Sequence, residues 1–260
     1  MDLFDLQDIG DTDIDILSPI STNRLVQLGR DLKLNDRNTI IDFGCGKAEL
    51  LTLWSQEFGI KGMGVDIRES VCRQANEKIK KLGLADKIAV TQGRTLEFQF
   101  PENSFDFAVC VAASFTWGGF REAITGLKKA IKESGKIIIG EPYWISDNID
   151  FRRIRKEPFF TESELLQLSQ GQGLDFEYLY RATREDIDRY ESAHWHSYIQ
   201  WIEANPDHPN RQDVINYLHK IQRDYLEFDR SNLGWALYVL NPVKYAIQKA
   251  PASTGVLTIS

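Results

Sequence analysis

Residues 40–50, with the sequence IIDFGCGKAEL, constrain the fold of this chain more than any other segment. The pattern indicates a β-strand, a tight turn at Gly44 and Gly46, and the start of a helix. Glycine lets a ligand approach the backbone closely, and the N–H groups at a helix start point outward. Asp66 ends the next β-like run, where a carboxylate can hold both hydroxyls of a ribose. The segment therefore predicts a binding site for a ribose-containing ligand.

Short β-like runs alternate with helix-like runs from about residue 38 to residue 142, and the strands are apolar throughout. This alternation is typical of a parallel sheet that is covered by helices on both faces. Beyond residue 142 the pattern predicts a helix that begins with a capping box, a strand, two amphipathic helices and a last strand. We therefore predict an α/β fold with a doubly wound, mostly parallel, seven-stranded sheet and a helical insertion between strands six and seven.

The same pattern divides the chain into five predicted parts. They are an N-terminal flap with a first helix, a cofactor-binding core, a helical insert that covers the substrate, the last strand of the core and a C-terminal tail: residues 1–37, 38–183, 184–232, 233–242 and 243–260. The acidic side chains of residues 2–20 are expected to form a solvated face rather than a cation site.

Charge and composition exclude several classes of function. The 260 residues include 31 Lys and Arg against 38 Asp and Glu, a formal net charge of −7. A nucleic-acid-binding protein normally presents a basic surface, so we expect no nucleic-acid partner. The longest strongly apolar stretch, residues 107–113, is too short to span a bilayer. Three cysteines without CxxC spacing indicate neither a disulfide framework nor a zinc site. We expect a cytoplasmic protein without a membrane partner or a metal.

Two classes of cofactor compete for the glycine turn. A dinucleotide-binding loop has the pattern Gly-x-Gly-x-x-Gly, in which the third glycine lies under a pyrophosphate. Here Glu49 occupies that third position, where its charge would repel an anion. Asp42, just before the glycines, is suited instead to pair with a cationic amino group. The loop therefore favours a cationic cofactor, with an NAD(P)-dependent oxidoreductase as the less favoured alternative.

This combination resembles the class I, Rossmann-like S-adenosylmethionine-dependent methyltransferases, whose first motif is an acid-x-Gly-x-Gly-x-Gly loop. The resemblance covers roughly residues 38–142, with Ala48 where the family has its last glycine. Arg94 stands where the family often has an acid that contacts adenine, so adenine contacts would come from the backbone or from Thr95. The resemblance implies S-adenosylmethionine as cofactor, bound by Asp42, Gly44, Cys45, Gly46, Asp66, Ile67, Gly93, Arg94 and Ala112.

The resemblance also implies methyl transfer to an O, N or C atom of a small molecule, bound beyond the carboxyl ends of the strands. Glu141 would accept a proton or hold a cationic acceptor, unless it only forms a salt bridge or a helix cap. His194 is an acid, a base or a substrate contact, or it serves packing or lid closure. The candidate substrate contacts are Trp117, Tyr143, Trp144 and Tyr190, of which Tyr143 and Trp144 also fit a core.

Two further points stay open at this stage. Because Ala48 and Arg94 depart from the family pattern, a catalytically inactive cofactor-binding partner or sensor is an alternative to an enzyme. The sequence is compatible with a monomer or a homodimer.

Overall fold

The structure is a computed structural model, and it describes residues 1–146 and 159–243. Eight strands are present in these two ranges: β1 Thr39–Phe43, β2 Lys61–Asp66, β3 Ile88–Gln92, β4 Phe105–Val111, β5 Ile131–Trp144, β6 Phe160–Thr161, β7 Leu174–Arg181 and β8 Leu233–Pro242. The α-helices are α1 Leu3–Gly10, α2 Thr22–Asp31, α3 Glu49–Phe58, α4 Glu69–Lys81, α5 Phe120–Ala130, α6 Glu162–Gln170, α7 Arg184–Ala204, α8 Arg211–Asp224 and α9 Arg230–Asn232. A 3-10 turn at Ser114–Trp117 and a π-helical turn at Tyr225–Asp229 complete the described elements.

All strands belong to one sheet with the order β3-β2-β1-β4-β5-β8-β7, and the two-residue β6 pairs with β5. The pairs among β1 to β6 are parallel, whereas β8 is antiparallel to both β5 and β7. The predicted doubly wound, mostly parallel sheet is confirmed, and β6 adds one short strand to the seven that were predicted. The chain order reverses between β1 and β4, and ligands bind at such a switch point in open α/β sheets.

The core lies on both faces of the sheet because neighbouring residues of a strand point to opposite sides. Ile40 packs in a cluster that includes Leu28 of α2 and Trp54 of α3. Its neighbour Ile41 packs in a second cluster that includes Leu127 of α5 and Leu165 of α6. Each fully buried aliphatic side chain contributes roughly 1.5–3 kcal/mol, so the two clusters hold the strand ends that carry the site in fixed positions.

The N-terminal residues pack on the helical insert, while the acidic side chains of Asp2, Asp5, Asp13 and Asp15 are exposed. Ile9 of α1 shares a small core with Tyr198 of α7 and Val214 of α8, and the Tyr198 hydroxyl donates to the carbonyl of Leu6 at 2.9 Å. Asp11 is only 8% exposed. The expectation of a solvated acidic face is therefore wrong for this residue, because basic partners distant in sequence surround it.

The insert itself comprises α7 to α9 and lies between the sixth and seventh of the predicted strands, as expected. The division of the chain into five parts stays a prediction, and residues 244–260 of the predicted tail lie outside the described residues. Within the ranges 1–146 and 159–243, no helix has the length and apolar character needed to cross a membrane.

Candidate functional site

The turn after β1 has a backbone conformation that favours glycine. Gly44 and Gly46 have φ values of 75° and 52°, in the left-handed region. A Cβ atom at Gly44 would lie 2.3 Å from the Cβ of Ala113, so the turn packs directly against the residues that follow β4. The N–H groups of Gly44 and Cys45 donate to the carbonyl of Val65 at 2.8 and 3.1 Å. These contacts fix the turn between the carboxyl ends of β2 and β4.

Two carboxylates lie at this turn. Asp66 ends β2, and its oxygens accept hydrogen bonds from the N–H groups of Gly46 at 2.9 Å and Arg68 at 3.0 Å. Asp42 in β1 is 4% exposed, and its Oδ1 has no hydrogen-bond partner in the structure. Burial, together with the nearby charge of Asp66, raises the pKa of Asp42 to about 7. A buried carboxylate oxygen without a partner is costly, so Asp42 fits a ligand that brings a positive charge.

Both carboxylates line a cavity of about 770 Å³, here called the first cavity. Eight of the nine predicted cofactor-binding residues line it: Asp42, Gly44, Cys45, Gly46, Asp66, Ile67, Arg94 and Ala112. Gly93 does not; its N–H donates to the carbonyl of Asp66 at 2.9 Å and joins the ends of β2 and β3. Arg94 has a side chain that is 68% exposed, whereas the neighbouring Thr95 is buried at the cavity wall. Thr95 is therefore better placed than Arg94 to make the predicted contact with adenine.

The N-terminal segment and α7 cover the first cavity and contact each other at Asp11, and we call them the roof of this cavity. One oxygen of Asp11 accepts from Arg68 Nη1 at 2.7 Å, and the other lies 3.2 Å from His194 Nε2. Lys47 Nζ donates to the Asp11 carbonyl at 2.7 Å. We call these four side chains, Asp11, Lys47, Arg68 and His194, the Asp11 clasp. The clasp ties the glycine turn, the end of β2 and the insert together over one cavity.

His194 has no free ring nitrogen in this arrangement. Its Nδ1 lies 2.9 Å from the carbonyl of Tyr190 and its Nε2 faces Asp11, so both nitrogens face acceptors. Burial alone would lower the pKa of His194, but the hydrogen bonds to Asp11 and to the Tyr190 carbonyl outweigh it and raise the pKa. This geometry fits a role for His194 in closing the cavity, and its role as an acid, a base or a substrate contact stays a prediction.

A second cavity of about 470 Å³ lies beyond the carboxyl ends of β4 and β5. Glu141 of β5 lines it, is 7% exposed, and has no hydrogen-bond partner at Oε1. Burial raises the pKa of Glu141 to about 8, against the opposing effect of a hydrogen bond with Ser114. The two cavities share four lining residues: Ala112, Phe115, Tyr190 and Glu191. A molecule in one cavity therefore adjoins a molecule in the other.

Of the four predicted substrate contacts, Tyr190 lines both cavities and the other three line neither. Trp117 packs edge-to-face on Phe43, with ring centroids 4.9 Å apart. Tyr143 packs against the backbone of Gly234 in β8, where a Cβ would lie 2.3 Å from its ring. Trp144 is buried against Phe228 with ring centroids 6.1 Å apart. Trp117 and Trp144 are thus buried, Tyr143 is half-buried, and none of the three lines either cavity. Their role as substrate contacts stays a prediction.

Sequence reasoning missed most of the wall of the second cavity. Trp235 of β8 lines it, as do Tyr225 and Asp229 from the π-helical turn. A π turn carries an extra residue, so its side chains depart from the period of 3.6 on which helix patterns depend. Among the described residues, no group of three His, Cys, Asp or Glu side chains is arranged to hold a metal ion.

The fold and the first cavity define a Rossmann-like protein that binds a cationic, ribose-containing cofactor. A family model described as a methyltransferase domain matches residues 40–135. A crystallised S-adenosylmethionine-dependent methyltransferase of Geobacter sulfurreducens, in complex with S-adenosylhomocysteine, is 30% identical with a TM-score of 0.85, covering 92% of this chain and 98% of that one. The chain belongs to the class I, Rossmann-like S-adenosylmethionine-dependent methyltransferases.

Two further relatives match this chain over most of its length. A methyltransferase of Thiobacillus denitrificans in complex with S-adenosylhomocysteine is 28% identical with a TM-score of 0.85, over 93% of this chain and all (100%) of that one. The uncharacterised protein YjhP of Escherichia coli strain K12 is 28% identical over 92% of this chain and 99% of its own length. The cofactor is S-adenosylmethionine. The unpartnered Asp42 oxygen and the Asp66 carboxylate at the glycine turn fit its positive charge and its ribose.

Replacing Asp66 with alanine is expected to weaken S-adenosylhomocysteine binding roughly 30-fold, about 2 kcal/mol, since two charge-assisted hydrogen bonds to the ribose are lost. Isothermal titration calorimetry measures the change, and circular dichroism checks that the variant is folded. Glu69→Ala provides the matched control, because Glu69 is exposed in the first turn of α4, close to Asp66 in the chain. Unchanged affinity in Asp66→Ala would mean that Asp66 does not bind the ribose.

Proposed function

We propose that this protein transfers a methyl group from S-adenosylmethionine to an O, N or C atom of a small-molecule acceptor bound in the second cavity. The observation that carries the proposal is the shared wall of the two cavities. One cavity contains the cofactor-binding motif, and the other contains a buried carboxyl group with an unpartnered oxygen. Methyl transfer needs its two reactants in contact and shielded from water, which adjoining cavities provide.

The cofactor supplies a methyl group that its sulfonium already makes electrophilic, so the protein's own residues have a limited task. Asp42 and Asp66 would hold the cofactor at the switch point between β1 and β4. Glu141 would hold the acceptor or take its proton, which is needed only if the acceptor arrives protonated. Tyr190, which lines both cavities, would contact the acceptor next to the cofactor. The Asp11 clasp would exclude water from the first cavity.

We further propose that the protein works in the cytoplasm, as a monomer or homodimer and without a nucleic-acid partner. Its net charge of −7 supports the absence of a nucleic-acid partner. All three cysteines, Cys45, Cys72 and Cys110, are unpaired, which fits a reducing compartment.

The first test of the proposed function is thermal unfolding with S-adenosylhomocysteine, S-adenosylmethionine, NADH and NADPH, each added separately. A ligand at about 100 times its Kd adds about 2.7 kcal/mol to the free energy of unfolding, which raises the Tm by a few degrees. We expect this shift with the two adenosyl compounds and none with the nicotinamide cofactors. A shift with NADH or NADPH alone would contradict the proposal.

The second test is transfer of radiolabelled methyl from S-adenosylmethionine to a panel of small alcohols, amines and activated carbon acids. We expect label to reach at least one class of acceptor. Tight cofactor binding together with no transfer to any acceptor that binds would favour an inactive cofactor-binding partner or sensor.

A further inference from the structure

The described wall of the second cavity combines carboxyl groups with aromatic rings. Three acidic residues line it: Glu141, Glu191 and Asp229. The aromatic residues on the same wall are Phe115, Phe120, Phe159, Phe160, Tyr190, Tyr225 and Trp235. Aromatic faces and carboxylates both attract a cation, the first through the ring quadrupole and the second through charge. The two groups of side chains thus favour the same kind of ligand.

Among the residues of this wall, Glu141 most strongly restricts which ligand can bind. More than nine-tenths of the residue is buried, it lines the cavity, and its Oε1 has no partner in the structure. A buried carboxyl oxygen in this state forfeits its hydration without compensation. A ligand that donates a hydrogen bond at this position would restore the lost interaction, and a charged donor would restore most of it.

Glu191 places a second carboxyl at the boundary between the cavities. It belongs to α7 and lines both cavities, next in sequence to Tyr190, which does the same. Burial raises the pKa of Glu191, and the charge of His194 opposes that effect. A positive group that enters the second cavity therefore meets carboxyls both at its β5 wall and at the boundary with the cofactor.

Building on the proposed function, we propose that the acceptor is an amine with an apolar or aromatic body, that Glu141 binds its nitrogen, and that this nitrogen receives the methyl group. A neutral alcohol would use one carboxyl at most and would gain nothing from a second one at the boundary. An acceptor with a carboxylate or phosphate would meet no basic side chain, since the described lining of this cavity contains neither Lys nor Arg. The rings of Tyr190, Tyr225 and Trp235 would enclose the body of the amine.

Methyl transfer to an amine balances in atoms and charge with Glu141, the amine and the cofactor. Below its pKa of about 8, Glu141 carries a proton in the empty cavity and releases it to solvent as the ammonium ion enters. The ammonium ion then gives one proton to the Glu141 carboxylate, which frees the nitrogen lone pair. The nitrogen then forms a bond to the methyl carbon while the carbon–sulfur bond breaks and the sulfur keeps the electron pair. The pKa of Glu141, raised to about 8 by burial, is suited to accepting a proton from an ammonium ion. After the product leaves, Glu141 keeps this proton until the next ammonium ion enters, so each cycle releases one proton to solvent.

The test measures binding of three matched probes to the full chain saturated with S-adenosylhomocysteine. The probes are tryptamine, tryptophol and indole-3-acetate, which share the indole ring and differ in the terminal group. We expect the Kd of tryptamine to be lower than that of tryptophol by about tenfold or more, as for a charge-assisted hydrogen bond. Indole-3-acetate should bind more weakly than both. Failure of tryptamine to bind up to its solubility limit would overturn the proposal.

A variant series separates Glu141 from general effects on the fold. Glu141→Gln should raise the Kd of tryptamine about tenfold or more and leave that of tryptophol nearly unchanged. Glu133→Gln is the matched control, since Glu133 is exposed on the same strand, and it should change neither value. S-adenosylhomocysteine affinity in each variant shows that the first cavity is intact.

The outcomes distinguish this inference from the proposed function. If tryptophol or indole-3-acetate binds at least as well as tryptamine, or if Glu141→Gln leaves tryptamine binding unchanged, the amine assignment is wrong. The protein can then still be a methyltransferase for another acceptor class, which the radiolabel assay decides. If S-adenosylhomocysteine itself does not bind, the proposed function fails, independently of the amine.

Discussion

Replacing Asp42 with asparagine is expected to make the protein without cofactor more stable and, at the same time, to weaken S-adenosylhomocysteine binding about 100-fold. Burial and the charge of Asp66 raise the pKa of Asp42 to about 7, from an ordinary value of 3.8. Between these two values the unfolded chain ionises while the folded chain stays protonated, so the free energy of unfolding falls as the pH rises. Asparagine removes this loss, which amounts to about 2–4 kcal/mol at pH 7.

The loss of affinity in Asp42→Asn has a separate cause, because asparagine offers no charge to the positive group of the ligand. A charge-assisted hydrogen bond in a buried site contributes about 1.5–3 kcal/mol, which corresponds to a change of about 100-fold at its upper end. Calorimetry of S-adenosylhomocysteine binding and urea unfolding at pH 5 and pH 7 measure the two effects. The stability gain should be larger at pH 7 than at pH 5.

Asp106→Asn is the matched control, and we expect it to change the free energy of unfolding in the opposite direction. Asp106 Oδ1 accepts from Lys132 Nζ at 2.8 Å and its Oδ2 accepts from the N–H of Thr39 at 2.8 Å. Burial would raise the pKa of Asp106, but these hydrogen bonds outweigh it and lower the pKa. Its asparagine variant should therefore lose stability at pH 7 and keep its cofactor affinity. If Asp42→Asn loses stability in the same way, Asp42 is paired in the free protein and our account of it is wrong.

Asp11→Ala is expected to lower the free energy of unfolding by about 3 kcal/mol and to weaken S-adenosylhomocysteine binding about tenfold. The substitution leaves Arg68 and His194 without the carboxylate that both contact, and breaking a buried pair typically costs 3–5 kcal/mol. The weaker binding follows because the Asp11 clasp holds the roof of the first cavity. Urea unfolding and calorimetry measure the two effects.

The pH dependence of Asp11→Ala follows from the two titrating partners. Burial opposes ionisation of Asp11, but hydrogen bonds with His194 and Arg68 outweigh it and lower the pKa of Asp11. Asp11 therefore stabilises the fold at a pH above 3.8, its pKa in the unfolded chain, and this stabilisation is lost as the pH falls. The pKa of His194 is raised above its ordinary value of 6.5. His194 therefore contributes its full stabilisation to the fold below pH 6.5, and this stabilisation is lost as the pH rises through the raised pKa. The variant's deficit should therefore be largest at intermediate pH.

Asp13→Ala is the control for this variant, because Asp13 is exposed two residues further along the chain. It should change neither stability nor affinity. A deficit in Asp11→Ala that is equal at every pH, or normal affinity for S-adenosylhomocysteine, would show that the clasp does not hold the roof.

The parts of the molecule that the sequence predicted well are those in which local pattern determines position. The cofactor motif lies within one strand, one turn and one helix, so Asp42, Gly44 and Gly46 occupy adjacent positions by chain connectivity alone. Asp66 follows from the end of the next parallel strand. The apolar runs of β1 and β4 are long enough, and the turns clear enough, that the sheet follows from alternation.

The wall of the second cavity was not predictable in this way, because its residues come from separate parts of the chain. Tyr143 and Trp144 lie close to Glu141 in sequence, but Tyr143 packs against β8 and Trp144 against the insert, so neither ring lines the cavity. Trp235 and Tyr225 take their place from about 90 residues further along. Likewise, Asp11 pairs with residues that are 57 and 183 positions away, which no local charge pattern indicates.

The π-helical turn at Tyr225–Asp229 has a consequence for how the acceptor range of such a protein can evolve. Deleting one residue from this turn would restore a regular α-helix and rotate the residues after the deletion by about 100° about the helix axis. Asp229 would leave the cavity wall, and Arg230 would lose its bond to Asp188, now 2.8 Å long. The first cavity draws no lining residue from this turn. If the acceptor binds in the second cavity, as proposed, a single-codon deletion would therefore reshape the acceptor site and leave the lining of the cofactor site unchanged.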